Sequence, residues 1–426
     1  FSANGGGTVT WTANFGQDST FAGSTPAGGN TDANGNGTFK YAVPDGYLSL
    51  CNNNLPNPTT ADPLDNFNTV LYTGNASARS ITVGLQPDFT WIKGRSASTS
   101  HLWQDTIRGT SKYLISDSTN GDGTLSDLVT SFDSNGISLG TNVNTNTNSA
   151  TYVSWNWKAG GTPTATNSAG VGNVPTSGSV MIDGSASTTA LNGQIAADKI
   201  SANTKSGFSI VSYTGTGSGS GNRTVNHGLT KKPEFIILKD RDSNSNNNNW
   251  NIWHKDAGDG DDYGYFTTAA FTGSAQVIGT DNNVFTLKPN LTTSNESGDN
   301  YITYLFHSVE GMTKVGFYTG NNSADGPFVY TGFKPAWILF KRSNSATGSY
   351  WNIIDNKRND AGFGNLSDNV LMAHVNTNEA GLSEIPLDFL SNGFKVRTTG
   401  NSVNASGSKY IYLAFAESPF KGTTAK

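Results

Sequence analysis

The fold is decided by a stretch at residues 333–341, Phe-Lys-Pro-Ala-Trp-Ile-Leu-Phe-Lys. Proline has no backbone N–H and cannot donate to a β-ladder, so Pro335 fits the first position of a strand. The apolar run that follows is short and rich in Trp, Ile and Phe, which favours a strand covered on both faces over a helix. We therefore predict that this stretch is the central strand of a β-domain.

The same proline strand occurs twice more, at residues 86–93 (Gln-Pro-Asp-Phe-Thr-Trp-Ile-Lys) and 232–239 (Lys-Pro-Glu-Phe-Ile-Ile-Leu-Lys). Each copy is accompanied, in the same order, by a Tyr-Thr-Gly strand end, a strand bearing tryptophan, and an alternating closing strand. These markers lie at residues 72–74, 101–105 and 152–157; at 213–215, 250–254 and 301–306; and at 318–320, 351–355 and 410–415. The spacings from the proline to the first tyrosine of the closing strand are 65, 68 and 75 residues (87→152, 233→301, 335→410). Ordered recurrence of four markers indicates one fold copied three times.

The closing strands also predict which side chains face the core. Val153, Trp155 and Trp157 alternate along the first of them, and the same register is apolar in the other two. Side chains two residues apart share a face of a strand, so we expect this register to point inward. The predicted fold class is all-β, with three tandem related β-sandwich domains after a partial N-terminal β-domain. A sandwich is favoured over a single barrel or propeller because we expect each repeat to have a core of its own.

The markers set the predicted domain boundaries. Within the second linker we expect a small hairpin arm at residues 178–184 and a short helix at residues 190–200, and this insertion either holds its neighbours apart or contacts another subunit. The predicted segments are a partial N-terminal β-domain similar to the end of a SPRY domain (1–50), a linker (51–66), unit 1 (67–161), a linker or insertion (162–207), unit 2 (208–312) and unit 3 (313–421).

Composition excludes several classes of function. Charged residues make up 14% of the 426-residue chain, below the roughly 25% of ordinary soluble domains. The net charge is −5 and there is no Lys/Arg cluster, so we expect no nucleic-acid partner. No apolar run approaches the roughly 20 residues of a membrane span, so we expect no membrane insertion. Cys51 is the single cysteine, which excludes an internal disulfide framework.

Several marker sequences resemble a family found in the genomes of tailed phages, mostly marine and cyanobacterial phages. Members of that family carry repeated β-domains of poorly defined function, often after a SPRY-type domain. The matching stretches are residues 67–75, 152–161, 207–215, 355–358 and 410–420, and a weaker match to the end of a SPRY domain lies at residues 14–17. Since a full SPRY domain is missing and the chain opens at Phe1, we expect it to begin partway through a longer or processed polypeptide.

The resemblance implies a virion component: a tail fibre or appendage that contacts other virion proteins and adheres to host-surface glycan. A homo-oligomer, with a trimer as the specific expectation, follows by analogy only. The alternatives are a capsid decoration or head-fibre protein without receptor binding, and a tail-associated glycan depolymerase. The family brings no established catalytic residues.

Aromatic and acidic residues provide the candidate sites. We predict ligand binding at Trp250, Tyr350 and Trp351, because these follow long Asn/Ser loops that would leave them exposed. An acidic cluster beside glycines is a candidate calcium site, with a solvated acidic loop as the alternative. Its carboxylates are Asp256, Asp259, Asp261 and Asp262. No other cofactor is expected.

We expect no enzymatic activity, because neither a serine-hydrolase elbow, a phosphate loop nor a dinucleotide fingerprint is present. A glycosidase would need two carboxylates across one cleft. Asp105, Asp256 and Asp355 follow the tryptophan strands and are candidates for such a pair, or are simply turn-forming aspartates. His101 and His254 lie beside the same strands and are expected to be half-buried surface histidines.

Overall fold

The computed structural model describes residues 18–54, 62–217, 221–242, 249–288, 293–358, 366–379 and 385–419. The weaker match to the end of a SPRY domain at residues 14–17 and the Asn-rich loop at residues 243–248 lie outside the described residues. Compactness divides the chain into two bodies, Phe1–Pro58 and Thr59–Lys426. In the first body, residues 18–54 contain an isolated bridge between Asn30 and Phe39 and a 3-10 turn at Asn52–Asn54.

The second body is built almost entirely of β-strands, which confirms the predicted all-β class. Its described helical segments are a 3-10 turn at Pro63–Asp65 and two single-turn helices, α1 (Val143–Asn146) and α2 (Asn401–Asn404). None of the helices in the described part of the chain is long and apolar enough to span a membrane.

Each unit contributes one large and one small antiparallel sheet, apart from a parallel pair in unit 2. The strands of unit 1 are β1 (Phe67–Thr73), β2 (Arg79–Thr82), β3 (Phe89–Gly94), β4 (Leu102–Asp105), β5 (Lys112–Ile115), β6 (Gly123–Thr124), β7 (Val129–Asp133), β8 (Gly136–Leu139) and β9 (Thr151–Trp157). They form a large sheet in the order β1-β9-β3-β4-β5-β6 and a small sheet in the order β2-β8-β7.

Unit 2 repeats this plan and adds strands from the insertion that precedes it. Its strands are β10 (Val180–Ile182), β11 (Ser185–Ala186), β12 (Lys199–Asn203), β13 (Phe208–Thr214), β14 (Arg223–Asn226), β15 (Phe235–Asp240), β16 (Asn251–His254), β17 (Tyr263–Gly264), β18 (Val277–Gly279), β19 (Val284–Leu287) and β20 (Asn300–Phe306). The large sheet has the order β11-β10-β12-β13-β20-β15-β16-β17, and the small sheet β14-β19-β18.

Unit 3 has the same two sheets. Its strands are β21 (Thr313–Thr319), β22 (Phe328–Tyr330), β23 (Phe333–Arg342), β24 (Asn352–Asp355), β25 (Leu366–Ser367), β26 (Leu371–Met372), β27 (Leu387–Leu390), β28 (Gly393–Val396) and β29 (Lys409–Pro419). The large sheet has the order β21-β29-β23-β24-β26, and the small sheet β22-β28-β27-β25. In all three units the proline strand pairs on one side with the closing strand and on the other with the next strand in the chain after the proline strand itself.

One tyrosine pair marks the equivalence of the units. The tyrosine of each Tyr-Thr-Gly marker stacks on the tyrosine that opens the closing strand, with ring centroids 5.1, 5.1 and 4.9 Å apart. The pairs are Tyr72–Tyr152, Tyr213–Tyr301 and Tyr318–Tyr410. Each marker tyrosine also donates its hydroxyl hydrogen to a backbone carbonyl of the segment that precedes the closing strand, which is α1 in unit 1 and α2 in unit 3. Register and packing are therefore copied together with the sequence.

Each unit has its own apolar core between its two sheets, and a further core is shared by all three units. The proline strand of unit 3 faces both: Ile338 and Phe340 lie in the core of unit 3, whereas Trp337 and Leu339 lie in the shared core. The predicted inward register of unit 1, which includes Trp155, also lies in the shared core. The expectation of a separate core in each unit is thus incomplete. The other faces of the three large sheets also pack against one another and form the shared core.

The insertion at residues 162–207 does not hold units 1 and 2 apart. Its predicted hairpin is present as β10 and β11, but the predicted helix at residues 190–200 is wrong. That segment instead bridges to Val225 and continues into β12, whose Ile200 and Ala202 are buried in the core of unit 2. Hydrogen bonds to neighbouring strands satisfy the backbone N–H and C=O groups of this segment, and its apolar side chains extend the core of unit 2. Of the first predicted linker, residues 55–61 lie outside the described residues.

Candidate functional site

The three units contact one another in a single cyclic direction. Each proline strand ends near a buried lysine whose ammonium group donates to a backbone carbonyl of a neighbouring unit. Lys93 of unit 1 bonds Asn376 O of unit 3 at 3.1 Å, and Lys239 of unit 2 bonds Thr119 O of unit 1 at 2.8 Å. Lys341 of unit 3 bonds Thr267 O of unit 2 at 3.1 Å. Burial lowers the pKa of the first two lysines to about 8 and that of Lys341 to about 7.

Two of the three aspartates considered as catalytic candidates, Asp105 and Asp355, lie at these contacts between units. Asp105 Oδ2 lies 2.7 Å from Arg108 Nε and accepts a 2.7 Å hydrogen bond from the hydroxyl of Tyr304 in unit 2. Asp355 Oδ2 lies 2.6 Å from Arg358 Nε and accepts a 2.8 Å hydrogen bond from Trp155 Nε1 in unit 1. The side chains of both aspartates and both arginines are fully buried. Each carboxylate is therefore part of an interface between units.

Unit 2 replaces the Asp–Arg pair with a neutral arrangement. His254 and Ala257 take the positions of Asp355 and Arg358, and His254 Nδ1 accepts from the N–H of Asp256 as Asp355 Oδ1 accepts from the N–H two residues on. His254 Nε2 lies 3.3 Å from Tyr412 O in unit 3. Burial lowers the pKa of His254 to about 4, which favours the neutral ring.

The expectation of half-buried surface histidines is wrong for both His101 and His254. Their exposed fractions are 0% and 1%. His101 Nδ1 accepts a 2.8 Å hydrogen bond from Trp91 Nε1 inside the first unit. Both rings are buried where large sheets meet. The polar residues beside them in the sequence did not indicate this burial.

The predicted exposure of Trp250 and Trp351 is also wrong. They are 2% and 1% exposed, and both lie in the shared core. Trp250 Nε1 donates to Ile115 O of unit 1 at 3.0 Å, and Trp351 Nε1 donates to Tyr265 O of unit 2 at 2.7 Å. Each ring packs between two units at the residue immediately before a strand of a large sheet.

Tyr350 is partly exposed and stacks on His374, with ring centroids 5.7 Å apart. It lies one residue before Trp351, but the two side chains do not form one exposed surface. The structure therefore does not bring the three predicted binding residues together at a rim.

The acidic cluster of unit 2 lies in the turn after β16. Lys255 Nζ lies 3.2 Å from one of its carboxylates, and Lys288 pairs with another. Burial and the charges of its two acidic neighbours raise the pKa of the last carboxyl group. Within the described residues, no group of three or more His, Cys, Asp or Glu side chains is arranged to hold a metal. The calcium site stays a prediction for Asp256, Asp259, Asp261 and Asp262.

An aromatic and charged surface that the sequence did not predict lies on the small sheet of unit 3. Phe328 and Tyr330 flank the buried Val329 on β22, and they are 46% and 62% exposed. Because alternate residues of a strand face opposite ways, both aromatic side chains point away from the core. Phe328 extends over the neighbouring Gly393, where a Cβ atom would lie 3.1 Å from the ring. We call this surface the outer face of unit 3.

Charged side chains continue the outer face beside the two rings. Lys395 pairs across the sheet with Phe328, and its ammonium group lies 2.8 Å from Asp325 Oδ1. Arg397 Nε lies 3.4 Å from Asp388 Oδ2. The hydrogen bond and positive charge of Lys395 lower the pKa of Asp325, whose side chain is 81% exposed. The outer face therefore offers two apolar ring surfaces next to ionised donors and acceptors.

The corresponding positions of units 1 and 2 are polar and not aromatic. Register places Val329 in line with Ile81 and Val225, so Phe328 corresponds to Ser80 and Thr224. Tyr330 likewise corresponds to Thr82 and Asn226. The sequence signal for this face was the aromatic pair flanking Val329, at a strand the marker pattern did not include.

The N-terminal body has an apolar groove of its own, of about 400 Å³. Its most exposed side chains include Tyr41, at 75%, and Leu50, at 73%. Nearly all of the lining is apolar, with Lys40 as the charged exception. The groove is therefore an exposed apolar patch of the N-terminal body.

The architecture and the outer face together define an all-β protein of repeated sheet pairs with an exposed aromatic surface. The chain belongs to the DUF7483 family, a domain of unknown function whose model matches residues 62–183 and 182–419. A comparison with curated proteins gave no match, and a comparison with solved structures gave none either.

Proposed function

We propose that this chain is a non-enzymatic structural component of a phage virion, in a tail fibre or appendage, and that it adheres to glycan on the host surface. The observation that carries adhesion is the outer face of unit 3, where Phe328 and Tyr330 are exposed beside Asp325 and Lys395. The virion role is supported by the resemblance of the marker sequences to repeated β-domains of tailed phages.

The chemistry of the outer face favours a sugar. Aromatic rings present a flat apolar surface with an electron-rich face, which suits the C–H groups on one side of a pyranose ring. Asp325 can accept hydrogen bonds from two neighbouring hydroxyl groups, and Lys395 can donate to them. Because the rings are on strands and not on a long loop, the surface is pre-organised and loses little conformational entropy on binding.

A scaffold role is favoured over catalysis by the environment of the carboxylates. Asp105 and Asp355 are held by arginines in different interfaces, and neither is exposed to solvent. A glycosidase needs its two carboxyl groups roughly 5–9.5 Å apart on either side of one accessible bond. The described residues thus support binding and bracing better than hydrolysis.

Binding of the purified protein to immobilised host-surface polysaccharide tests the proposal. Phe328→Ala and Tyr330→Ala should each weaken binding about tenfold or more, equivalent to about 1.4 kcal/mol. Leu71→Ala is the control, because Leu71 is 37% exposed at the equivalent position of the large sheet of unit 1. Equal binding by all three variants would contradict the proposed site.

Two further readouts separate the alternatives. New reducing ends after incubation with the polysaccharide would identify a depolymerase and overturn the non-enzymatic assignment. Labelling of intact particles with an antibody against the chain should place it on the tail. Labelling of the head, together with no glycan binding, would support a capsid decoration or head-fibre protein instead.

A further inference from the structure

The edge strand of the large sheet is treated differently in the three units. β1, β13 and β21 are equivalent strands, each paired on one side with its closing strand. On their other side lies a gap between the large and the small sheet of the same unit. Exposed strand edges are templates for pairing with another chain, so natural proteins cover or block them.

Unit 2 fills the gap with a strand of its own chain. β12 pairs antiparallel with β13, with Ile200 opposite Val211 and Lys199 opposite Ser212. The side chains of Ile200 and Ala202 enter the core between the two sheets. The position in unit 2 therefore accepts an extended segment with apolar side chains at alternate positions.

Unit 1 bridges the gap with its own polar side chains. Asn68 Nδ2 on β1 donates to Val83 O at 2.7 Å, and Arg79 on β2 donates to Thr73 O at 2.8 Å. These two bonds connect the large sheet with the small sheet and its following turn. They leave less room for an added strand.

Unit 3 has neither device. Register places Lys314 at the position of Asn68 and Pro327 at that of Arg79, and proline has no side-chain donor. The side chain of Lys314 makes no hydrogen bond or ion pair with any residue that the structure describes. A groove of about 470 Å³ runs between the edges of β21 and β22, and its lining includes Gly316, Tyr318, Val329 and Tyr412.

The backbone of β21 is available over only half of its length. The N–H of Val315 bonds Ser308 Oγ at 3.0 Å, outside the ladder with β29. Alternate residues of a strand direct their N–H and C=O groups to the same side, so those of Phe317 point into the groove. Residues 316–319 therefore form the open stretch, and Phe317 corresponds to Ser212, which β12 covers in unit 2.

From these observations we infer that β21 is a docking edge for an extended segment of a different polypeptide, which pairs with residues 316–319 as β12 pairs with β13. An apolar side chain of the segment opposite Gly316, in the position that Ile200 takes opposite Val211, would contact the Tyr412 ring, which fills the space beside that glycine. A carboxylate two residues further along the segment would neutralise Lys314. The chain's own insertion is not the occupant, because its single β12 is already buried in unit 2.

A selection of short randomised peptides displayed on yeast tests this inference with the full-length protein. Peptides that bind the wild type should combine an apolar residue with an acidic residue two positions away. They should bind Phe317→Pro about tenfold or more weakly, because proline removes the one outward N–H without removing a ladder bond to β29. Lys314→Glu, a substitution at a partly exposed position, should weaken the same peptides.

The controls separate this site from the outer face. Asp325→Ala, on the outer face but outside the lining of this groove, should bind the selected peptides as the wild type does, although glycan binding is weakened. Hydrogen exchange should show new protection at residues 316–319 on peptide binding, which checks the site even if Phe317→Pro fails to fold. Peptides that bind both edge variants unchanged would overturn the inference. Self-association of the protein that is lost in Lys314→Glu would also overturn it, since the occupant would then be a second copy.

Discussion

Trp155 of unit 1 donates its indole hydrogen to Asp355 of unit 3, at 2.8 Å between residues that are 200 positions apart in the chain. The same carboxylate binds Arg358, whose second nitrogen lies 2.8 Å from Glu379. Glu379 in turn pairs with Arg95 of unit 1 at 2.9 Å. Asp355 therefore links the first and the last repeat directly through Trp155 and indirectly through Arg358 and Glu379.

Asp355→Ala should destabilise the protein by about 3–5 kcal/mol, because it leaves the Arg358 guanidinium buried with reduced compensation. Urea unfolding measures the change in the free energy of unfolding. The matched control is Asp325→Ala, because the Asp325 side chain is 81% exposed in its ion pair with Lys395 and its removal should change the free energy of unfolding little. Equal costs for the two substitutions would show that the link between units 1 and 3 contributes little.

His254→Asp should be much more destabilising than His254→Asn. His254 lies at the interface of unit 2 with unit 3. There the position that corresponds to Trp155 is Leu413, which has no hydrogen-bond donor in its side chain. Ala257 takes the position of the arginine. A carboxylate there would be buried beside the carbonyl of Tyr412, so the excess cost should be about 3 kcal/mol or more near pH 7. Lowering the pH toward 5 should reduce that excess, because the introduced carboxyl group would be protonated. An excess that does not change with pH would argue against a buried charge.

The lowered pKa of Lys341 predicts that the free energy of unfolding rises with pH. Its pKa is lowered by burial to about 7 in the folded protein, against an ordinary value of 10.5. Between these values the unfolded chain binds more protons than the folded protein, so the free energy of unfolding increases as the pH rises. Lys93 and Lys239 contribute in the same direction.

The test of this pH dependence is Lys341→Met, compared with the wild type by urea unfolding at several pH values from 7 to 9.5. The substitution should flatten the rise in stability while leaving the part due to the other two lysines. Lys395→Met, at a partly exposed lysine on the outer face, is the control and should leave the slope unchanged. An unchanged slope in Lys341→Met would mean that the ammonium group is solvated in the folded state.

Much of the fold could be predicted from the sequence, because β-structure leaves a period-2 pattern that survives repetition. The sequence predicted the three closing strands and the three proline strands, and it predicted that Trp155 and Trp157 face inward. The shared core was not predicted, although its signal was present in the uninterrupted apolar run after Pro335. A two-layer sandwich covers one face of such a strand, and an apolar run on both faces needs another layer.

The candidate site was harder to predict for a physical reason. Asn/Ser-rich loops indicate exposure of the loop itself, and Trp250 and Trp351 are the residues at which the chain leaves the loop and enters an interface. Exposure on the outer face depends instead on which of two sheets covers a strand, and Phe328 is exposed only because nothing packs on the small sheet of unit 3 among the described residues. Sequence periodicity alone does not say which faces of a repeat remain uncovered.

Hydrogen exchange of the native protein at increasing urea, read separately at the closing strands 152–157, 301–306 and 410–415, tests most directly whether three repeats form one body around a shared core. Because each strand contributes to that core, all three should open with the same free energy and the same dependence on urea. Three different opening free energies that stay apart as urea rises would contradict the shared core and would indicate independent domains.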